Sequence, residues 1–464
     1  MRRSAAVAAA KITAELSRRL RRGGGTALPG LVAERIDPDL IEGLAGRLGQ
    51  GNVLITGTNG KTTTARLLRS VASAAKLDTV ANRAGSNMMR GIAAALADAA
   101  GWDGEFESPE TLLGVFEVDE ATAPEAAWAI RPRAVVFTNL FRDQLDRYGE
   151  VDYVASVWRG AVAAWPKVAT LVLNADDPSV AALGELAAGR VIYYGLNDVA
   201  AAGKALEHAA DARWCPACAA ELEYDAVFYG HLGHWRCPGC GRARPRAEIE
   251  CSSISSAADS SRMLVSLPGG AIEVKLPLIG LYNAYNALAA AAGAFAIGID
   301  ATTIGAGLGA FTAAFGRQER LTVEGRQVQV ILAKNPAGLN QVLRTIAAGD
   351  NARRIDVVLF LNDGIADGRD ISWIWDVDFD LLKGRELAAT VSGNRAWDMA
   401  LRLKYAGLEA ACSVEKDYAA ALRRALKQTP GGGTLYVIPT YTAMLEVRDL
   451  LAKWSGSGAF WEQE

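Results

Sequence analysis

The chain has 464 residues, 50% of them hydrophobic and 22% charged, with a formal net charge of -3. At roughly 100 to 200 residues per domain, this length implies two to four domains with sizeable cores. The near balance of charge excludes bulk electrostatic recruitment by nucleic acid or an anionic membrane, which leaves small molecules and proteins as expected partners.

In chain order, residues 1 to 22 set Arg2, Arg3, Arg18, Arg19, Arg21 and Arg22 around an Ala-rich stretch. This reads as a helical extension at the surface, because no apolar run approaches the 18 or so residues that span a bilayer. The expectation is a cytoplasmic protein, with peripheral contact to the inner membrane face through the basic helix as the alternative. After the break at Gly23, Gly24 and Gly25, the order is the apolar run Val53, Leu54, Ile55, a Gly-rich turn, then helical sequence from Thr63. Strand-like runs follow at 114–118, 134–139, 170–175 and 190–195, with helix-like stretches between most of them. Such alternation predicts a mostly parallel sheet covered on both faces. Hydrophobic periodicity stops at 205–250, where Trp, Cys, Pro, Gly and His cluster as in an insertion. Antiparallel-looking segments at 262–278 and an Ala-rich helix from Asn283 complete the central unit near Phe315. A second α/β unit has expected strands at 327–333, 356–362, 386–392 and 434–440. The predicted organisation is a lead-in over 1–50, a central domain over 51–318 that contains the 205–250 insertion, and a last domain over 319–464.

The turn GTNGKTTT at 57–64 sits between a strand and a helix. There the backbone amides and the helix dipole favour an anion. Gly57 and Gly60 permit the turn, Lys61 is placed to reach the β- and γ-phosphates of ATP, and the Thr62 hydroxyl to face magnesium. Thr58, Asn59 and Thr63 complete the expected phosphate cradle.

This loop resembles that of the Mur-ligase family, and further segments resemble the family's motifs in the expected order. FEVDE at 116–120 stands where the family places a magnesium-binding carboxylate, which the resemblance assigns to Glu117, with Asp119 and Glu120 as alternates. TNLFRDQLDRYG at 138–149 carries Gln144 where most members have histidine, which removes support for a second metal. LNADDP at 173–178 and GLYNAYNALAA at 280–290 resemble nucleotide-side motifs, with Asn283 as the adenine contact and Asn286 beside it. FGRQER at 315–320 marks the exit to the last domain, with Arg317 expected to approach the phosphates. The resemblance implies an α/β fold: a Mur-ligase-like central P-loop ATPase domain with an insertion, followed by a Rossmann-like C-terminal domain. It also implies a chemistry in which ATP phosphorylates a carboxylate and an amine displaces the phosphate, catalysed mainly by positioning and charge neutralisation.

Six cysteines without a secretion signal argue for metal rather than disulfides. Cys215-x-x-Cys218 and Cys237-x-x-Cys240, with 18 residues between the pairs, suit a closed four-thiolate structural zinc ribbon. His231 and His234 are then loop residues rather than ligands, and Cys251 and Cys412 ordinary core or surface thiols. A nucleic-acid-binding P-loop module with a zinc ribbon is the competing reading, opposed by the charge balance and the ligase motifs.

In the last domain, Ile331, Leu332, Ala333, Lys334, Asn335, Pro336 stand where Mur ligases show a D-x-A-H-N-P-like segment, so the ribose-binding acid is replaced and Lys334 takes the histidine's place. FLNDGIADGRDISWIWDVDFD at 360–380 packs acids around Trp373 and Trp375, as a docked surface would. The cysteine insertion, Gln144, LAKNPAG and ADGRDISWIWD together resemble the ligase subunits of lipid II isoglutaminyl synthases, a branch of the Mur-ligase family. That resemblance implies amidation of the stem-peptide D-glutamate of lipid II to D-isoglutamine, with ammonia from a GatD-like glutaminase partner. The chain's only histidines are His208, His231 and His234, all in or near the insertion, so it lacks the Cys-His pair needed to hydrolyse glutamine itself. In that branch an aspartate of the last domain completes the partner's catalytic group. Asp367 and Asp370 are the candidates, followed by Asp363 and Asp376. The alternative is a free-standing Mur-like ligase that joins an amino acid to a carboxylate.

Overall fold

A computed structural model describes residues 2–19, 27–83, 85–143, 151–165, 169–203, 206–207, 210–257, 260–312, 317–348 and 354–456. Gln144, His208 and the glycines at 23–25 lie outside the described residues, as does the side chain of Arg317. The expectations resting on them, including the approach of Arg317 to the phosphates, have no structural account.

Three helices lead in: α1 (Arg2–Arg19), α2 (Ala27–Ile36) and α3 (Leu40–Ala45). The first is not merely a surface helix, because Ala6, Val7 and Ala10 are buried in the core that continues into the next domain. The central unit follows as β1 (Asn52–Thr56), α4 (Lys61–Ala74), β2 (Asp78–Ala81), α5 (Met89–Ala99), β3 (Leu112–Glu117), α6 (Ala123–Ile130), β4 (Ala134–Phe137), α7 (Val151–Ala164), β5 (Thr170–Asn174) and β6 (Val191–Leu196). The hairpin β7 (Glu223–Tyr229) and β8 (Leu232–Arg236) forms a separate two-stranded sheet. The chain then rejoins the main sheet with β9 (Ile249–Ser256), β10 (Ser261–Leu267) and β11 (Gly270–Leu276), and finishes the unit with α8 (Leu281–Ala296) and α9 (Ala301–Gly309).

The main sheet has nine strands in the order β11-β10-β9-β6-β5-β4-β1-β3-β2. All its pairings are parallel from β2 to β9, and β9, β10 and β11 pair antiparallel. Alternate residues of β1 point to opposite faces. Val53 and Ile55 therefore join the core under α4 and α8, while Leu54 joins the core shared with α1, α3, α5 and α6.

The second unit contains β12 (Arg317–Val323), β13 (Arg326–Ile331), α10 (Pro336–Ala348), β14 (Arg354–Phe360), β15 (Glu386–Ser392), α11 (Ala396–Tyr405), β16 (Cys412–Val414), α12 (Tyr418–Gln428), β17 (Thr434–Pro439) and α13 (Tyr441–Ser455). Its six strands run β12-β13-β17-β14-β15-β16, with only the β12–β13 pair antiparallel. Along β14, Val357 and Leu359 face one core, and Val358 and Phe360 the other. Among the described residues no helix is long and apolar enough to cross a membrane.

Candidate functional site

The Gly-rich turn leaves the centre of the main sheet. Its strand, β1, lies between β3 and β4, so the residues beyond all three strand ends converge. Positive φ values of 130° at Gly57 and 89° at Gly60 make the turn. A Cβ at Gly57 would lie 2.1 Å from Thr138 Oγ1, and one at Gly60 2.0 Å from Asn286 Oδ1, so neither position has space for a side chain. Thr138 and Asn139, expected as the end of a strand, instead leave β4 to hold the turn. Thr138 Oγ1 donates to Asn59 O at 2.8 Å, and Asn59 N donates to Asn139 Oδ1 at 2.8 Å.

Lys61 is buried, and its ammonium donates to Gly57 O at 2.5 Å, Thr58 O at 3.3 Å and Glu120 Oε2 at 3.1 Å. Burial would lower the Lys61 pKa, but Glu120, Asp119 and Asp143 outweigh it and hold the group above its ordinary value. Burial likewise opposes the charge on Glu120, yet Lys61 and Lys334 keep that carboxyl below its usual range. Of the three acids weighed in FEVDE, Glu120 thus meets Lys61. Glu117 ends β3 opposite Ile55, with its backbone N–H bonded to Asn82 Oδ1 at 3.0 Å, and Asp119 accepts from the Asn87 side chain.

Two contacts that sequence reasoning missed come from the last domain. Lys334 forms an ion pair with Asp143, whose carboxyl burial pushes upward while Lys334 pulls it back. Asn335 Nδ2 donates to Asn59 Oδ1 at 2.9 Å, so the last domain touches the Gly-rich turn directly. Lys334 was legible as a departure from the family pattern, but its partner, 191 residues away, was not. Between the two domains lies a cleft of about 90 Å³, whose lining includes Gly60, Thr63, Tyr282, Asn283, Ile331 and Leu332. Asn283 and Asn286 are buried along one side of α8, where Asn286 Nδ2 donates to Asn283 Oδ1 at 3.2 Å. The buried Asn59 Nδ2 has no hydrogen-bond partner among the described residues. A cradle that glycines alone can line, a buried lysine and an unsatisfied amide donor all fit a polyphosphate.

The four paired cysteines come together, with all four sulfurs within 4.8 Å of one another. Cys215 Sγ lies 3.7 Å from Cys240 Sγ, and Cys218 Sγ 3.4 Å from Cys237 Sγ. Tetrahedral zinc with bonds near 2.3 Å separates its sulfurs by about 3.8 Å, so the set fits that metal. Each knuckle closes with a residue at positive φ, Ala219 at 58° and Gly241 at 77°. His231 lies in the β7–β8 turn, as expected of a loop residue, whereas His234 departs from that expectation by lying on a strand. His231 is fully buried 3.3 Å from Asp177 Oδ2, and His234 lies on β8 with Nε2 2.8 Å from Leu196 O. Neither belongs to the cysteine cluster. Burial pushes the Cys251 thiol up to about 11, as for an unreactive core group.

The four candidate aspartates of the 360–380 segment, Asp363, Asp367, Asp370 and Asp376, have distinct surroundings. Asp367 is buried, and accepts from Thr442 N at 2.8 Å and from the Thr442 hydroxyl. Asp376 pairs with Arg142 at 3.2 Å, and Asp363 accepts from the Asn394 amide. Asp370 is exposed, and among the described residues its Oδ1 accepts from Ser372 N within its own loop, at 2.8 Å. Near this segment is an apolar surface. Trp397, Leu401 and Tyr405 recur at helical spacing along α11, are 64%, 47% and 73% exposed, and Tyr405 meets Trp375 edge-on at 5.4 Å.

Comparison with known proteins matches residues 55–294 to the Mur ligase middle domain and residues 332–444 to the MurT ligase C-terminal domain. The chain is 34% identical to lipid II isoglutaminyl synthase (glutamine-hydrolyzing) subunit MurT of Staphylococcus aureus strain COL, over 97% of this chain and 98% of that one. It is 33% identical to the Streptococcus pneumoniae subunit of the same name, over 93% of each. Among solved structures it resembles a pseudomurein peptide ligase type C from Methanothermus fervidus, with a TM-score of 0.65 and 25% identity, covering 88% of this chain and 79% of that one. It shares the fold of a folylpolyglutamate synthase from Mycobacterium tuberculosis at a TM-score of 0.62 and 16% identity, covering 89% and 93%.

Proposed function

The chain belongs to the MurT branch of the Mur-ligase family, and from that premise we propose that it amidates the D-glutamate α-carboxylate of lipid II, using ammonia delivered by a separate glutaminase subunit. It is a ligase of the ATP-dependent Mur type. The observation that carries the finer reading is the convergence of a phosphate-shaped turn, whose Asn59, Gly60 and Thr63 line the interdomain cleft, with the buried Lys61 and its partner Glu120.

In this reading the adenine lies beside Asn283, and the phosphates lie along Gly57, Thr58, Asn59, Gly60, Lys61, Thr62 and Thr63. A carboxylate oxygen of the acceptor attacks the γ-phosphorus and the bond from that phosphorus to the β–γ bridging oxygen breaks, so ADP leaves and an acyl phosphate remains. Ammonia then adds to the acyl carbon, loses a proton, and expels phosphate with the former carboxylate oxygen. Thr62 and Glu117 would hold magnesium, which would supply charge neutralisation at the transferred phosphoryl group. Lys61 exchanges its bonds to Glu120 and the turn carbonyls for the phosphates, which lowers the cost of gathering negative charge there. Cys215, Cys218, Cys237 and Cys240 would hold zinc in a closed ligand set, which would supply structure alone.

The partner is supported by the relatives' designation as a subunit, by the lack of a Cys-His pair in this chain, and by the exposed Trp375, Trp397, Leu401 and Tyr405 beside the acidic loop. Among the aspartates we assign to Asp370 the role of orienting the partner's histidine. Among the described residues Asp363, Asp367 and Asp376 are held by partners outside their own loop, whereas Asp370 is exposed and bonded within its loop, which leaves it to reach across an interface. The test is Asp370→Asn in the complex. Glutamine hydrolysis should fall by at least a hundredfold while ammonia-driven amidation and co-purification persist. Normal hydrolysis in a stable complex refutes the assignment. Failure of the wild-type complex to amidate lipid II refutes the larger reading.

A further inference from the structure

A second cleft, of about 200 Å³, lies away from the nucleotide, along the free edge of the main sheet. Its floor is β2, the last strand of the order, whose outer side has no partner strand. One wall is α5, α1 closes the other side, and Arg69 of α4 and Arg83 beyond β2 stand at its rim. The lining carries three cations, Lys11, Arg69 and Arg83, against one acid, Asp98. Lys11 is held in place by donating to Asp98 O at 2.8 Å, and Arg69 Nε donates to Thr79 Oγ1 at 3.3 Å. Neither Arg69 nor Arg83 is in an ion pair among the described residues. Unpaired guanidiniums at a concave site are suited to phosphate or carboxylate.

The cleft is joined to the reaction centre by one short loop. Asn82, just past β2, donates from Nδ2 to Ser86 O at 2.9 Å and to Glu117 O at 2.8 Å, and its Oδ1 receives the Glu117 N–H. At the other end of the loop, Asp119 N donates to Asn87 O at 2.9 Å. The segment that lines the cleft through Arg83 and Ser86 therefore also fixes Glu117 and Asp119, just ahead of the Glu120 that meets Lys61. An acceptor with its reacting carboxylate at Lys61 can run over this loop and place a second anionic group in the cleft.

Resting on the amidation reading, we infer that the β2-edge cleft is an anion subsite of the acceptor. It takes a phosphate or carboxylate remote from the carboxylate being amidated, with Arg69 and Arg83 as specificity-determining contacts. The test uses the full chain with ammonia as nitrogen source. Two acceptors are compared, a muramoyl pentapeptide linked to a polyprenyl diphosphate in detergent micelles and the same pentapeptide without diphosphate. In Arg69→Gln/Arg83→Gln, KM for the diphosphate acceptor should rise about tenfold, with kcat and the KM for ATP within twofold of wild type. An unchanged KM for the diphosphate-free acceptor identifies the diphosphate as the occupant, whereas an equal rise for both identifies a peptide carboxylate. An unchanged KM for both acceptors, or a parallel rise in the KM for ATP, overturns the subsite. Calorimetric titration with inorganic diphosphate, at saturating ADP and magnesium to fill the nucleotide site, gives a reading independent of turnover. Binding to wild type should be lost in the double variant, and absence of binding to wild type with no KM effect also overturns the proposal. If wild type amidates neither acceptor, the amidation reading fails, and this titration still decides whether the cleft holds anions.

Discussion

Replacing Lys334 with methionine keeps most of the side-chain volume and removes the charge opposite Asp143. The acid's side chain is only 7% exposed and the lysine's 27%. Stripping the partner from a fully buried pair costs about 3 to 5 kcal/mol, whereas exposed pairs contribute under about 1 kcal/mol. A lysine about one quarter exposed falls between these limits, and roughly 2 kcal/mol is expected. At about 2 to 4 °C per kcal/mol for domains of this size, the first thermal transition should fall by roughly 4 to 8 °C. Burial holds the Asp143 carboxyl above its ordinary value of 3.8, with Lys334 opposing it. A group with a raised folded pKa contributes stability that is fully present below the unfolded pKa and lost as pH rises through the folded value. Without Lys334 that loss deepens, so the variant's deficit should be largest at pH 7 to 8 and shrink as pH falls toward 4. Calorimetric scans of both proteins across this range make the measurement. A deficit under about 1 °C, or one independent of pH, would refute the account. Removing the acid as well, in Asp143→Asn/Lys334→Met, should recover most of the lost stability.

Lys61→Ala should reduce amidation by at least about a hundredfold with either nitrogen source, the scale of losing one transition-state charge contact, while glutamine hydrolysis in the complex persists. Turnover near the wild-type rate would remove Lys61 from the mechanism. Glu117→Gln and Glu120→Gln should separate. Loss through a metal ligand is partly relieved by added magnesium, and loss through the Lys61 partner is not, so identical magnesium titrations would contradict the division of roles. Freshly purified protein should contain one zinc per chain, and Cys237→Ser should lose it together with thermal stability. A metal-free wild type with full stability would exclude a structural zinc.

The parts of the fold legible in the sequence were those with buried periodicity. The strands around Leu54, Val135, Val172 and Val358 are covered on both faces, so their apolar runs mark them directly. The strands missed include three sheet edges, β2, β12 and β16, as well as the interior but largely polar β9 and the insertion hairpin β7–β8. β2 begins with exposed Asp78, β12 opens on the polar RQER, and β16 has three half-buried residues, so none carries a continuous apolar signal. At the site, Gly57, Gly60 and Lys61 were visible because a phosphate turn requires those residue types in adjacent positions. The Lys61–Glu120 and Lys334–Asp143 pairs were not, since a tertiary ion pair leaves no spacing rule in one sequence. The aspartates at 363–376 look alike in the sequence and are distinguished only by distant partners, Thr442, Arg142 and Asn394.

The insertion that brings the cysteines together also braces the Gly-rich turn. The β7–β8 turn sends His231 between Asp177 and Phe141, with the rings of His231 and Phe141 4.4 Å apart, and Tyr229 stacks on Phe141 at 5.6 Å. Phe141 lies two residues after Asn139, which with Thr138 holds the Gly-rich turn, and its N–H donates to Thr58 Oγ1 at 2.9 Å. Ahead of the hairpin, Glu207 is buried against the last domain, accepting from Gln341 at 3.2 Å and pairing with Arg344 at 3.2 Å. One insertion thus touches both walls of the cleft. A metal remote from the chemistry can therefore affect ATP binding, since a hairpin released at the cysteines no longer fixes Tyr229 and His231 against the segment that shapes the turn. The effect expected from zinc loss is accordingly a weaker KM for ATP together with lower stability, with the order of the chemical steps unaltered.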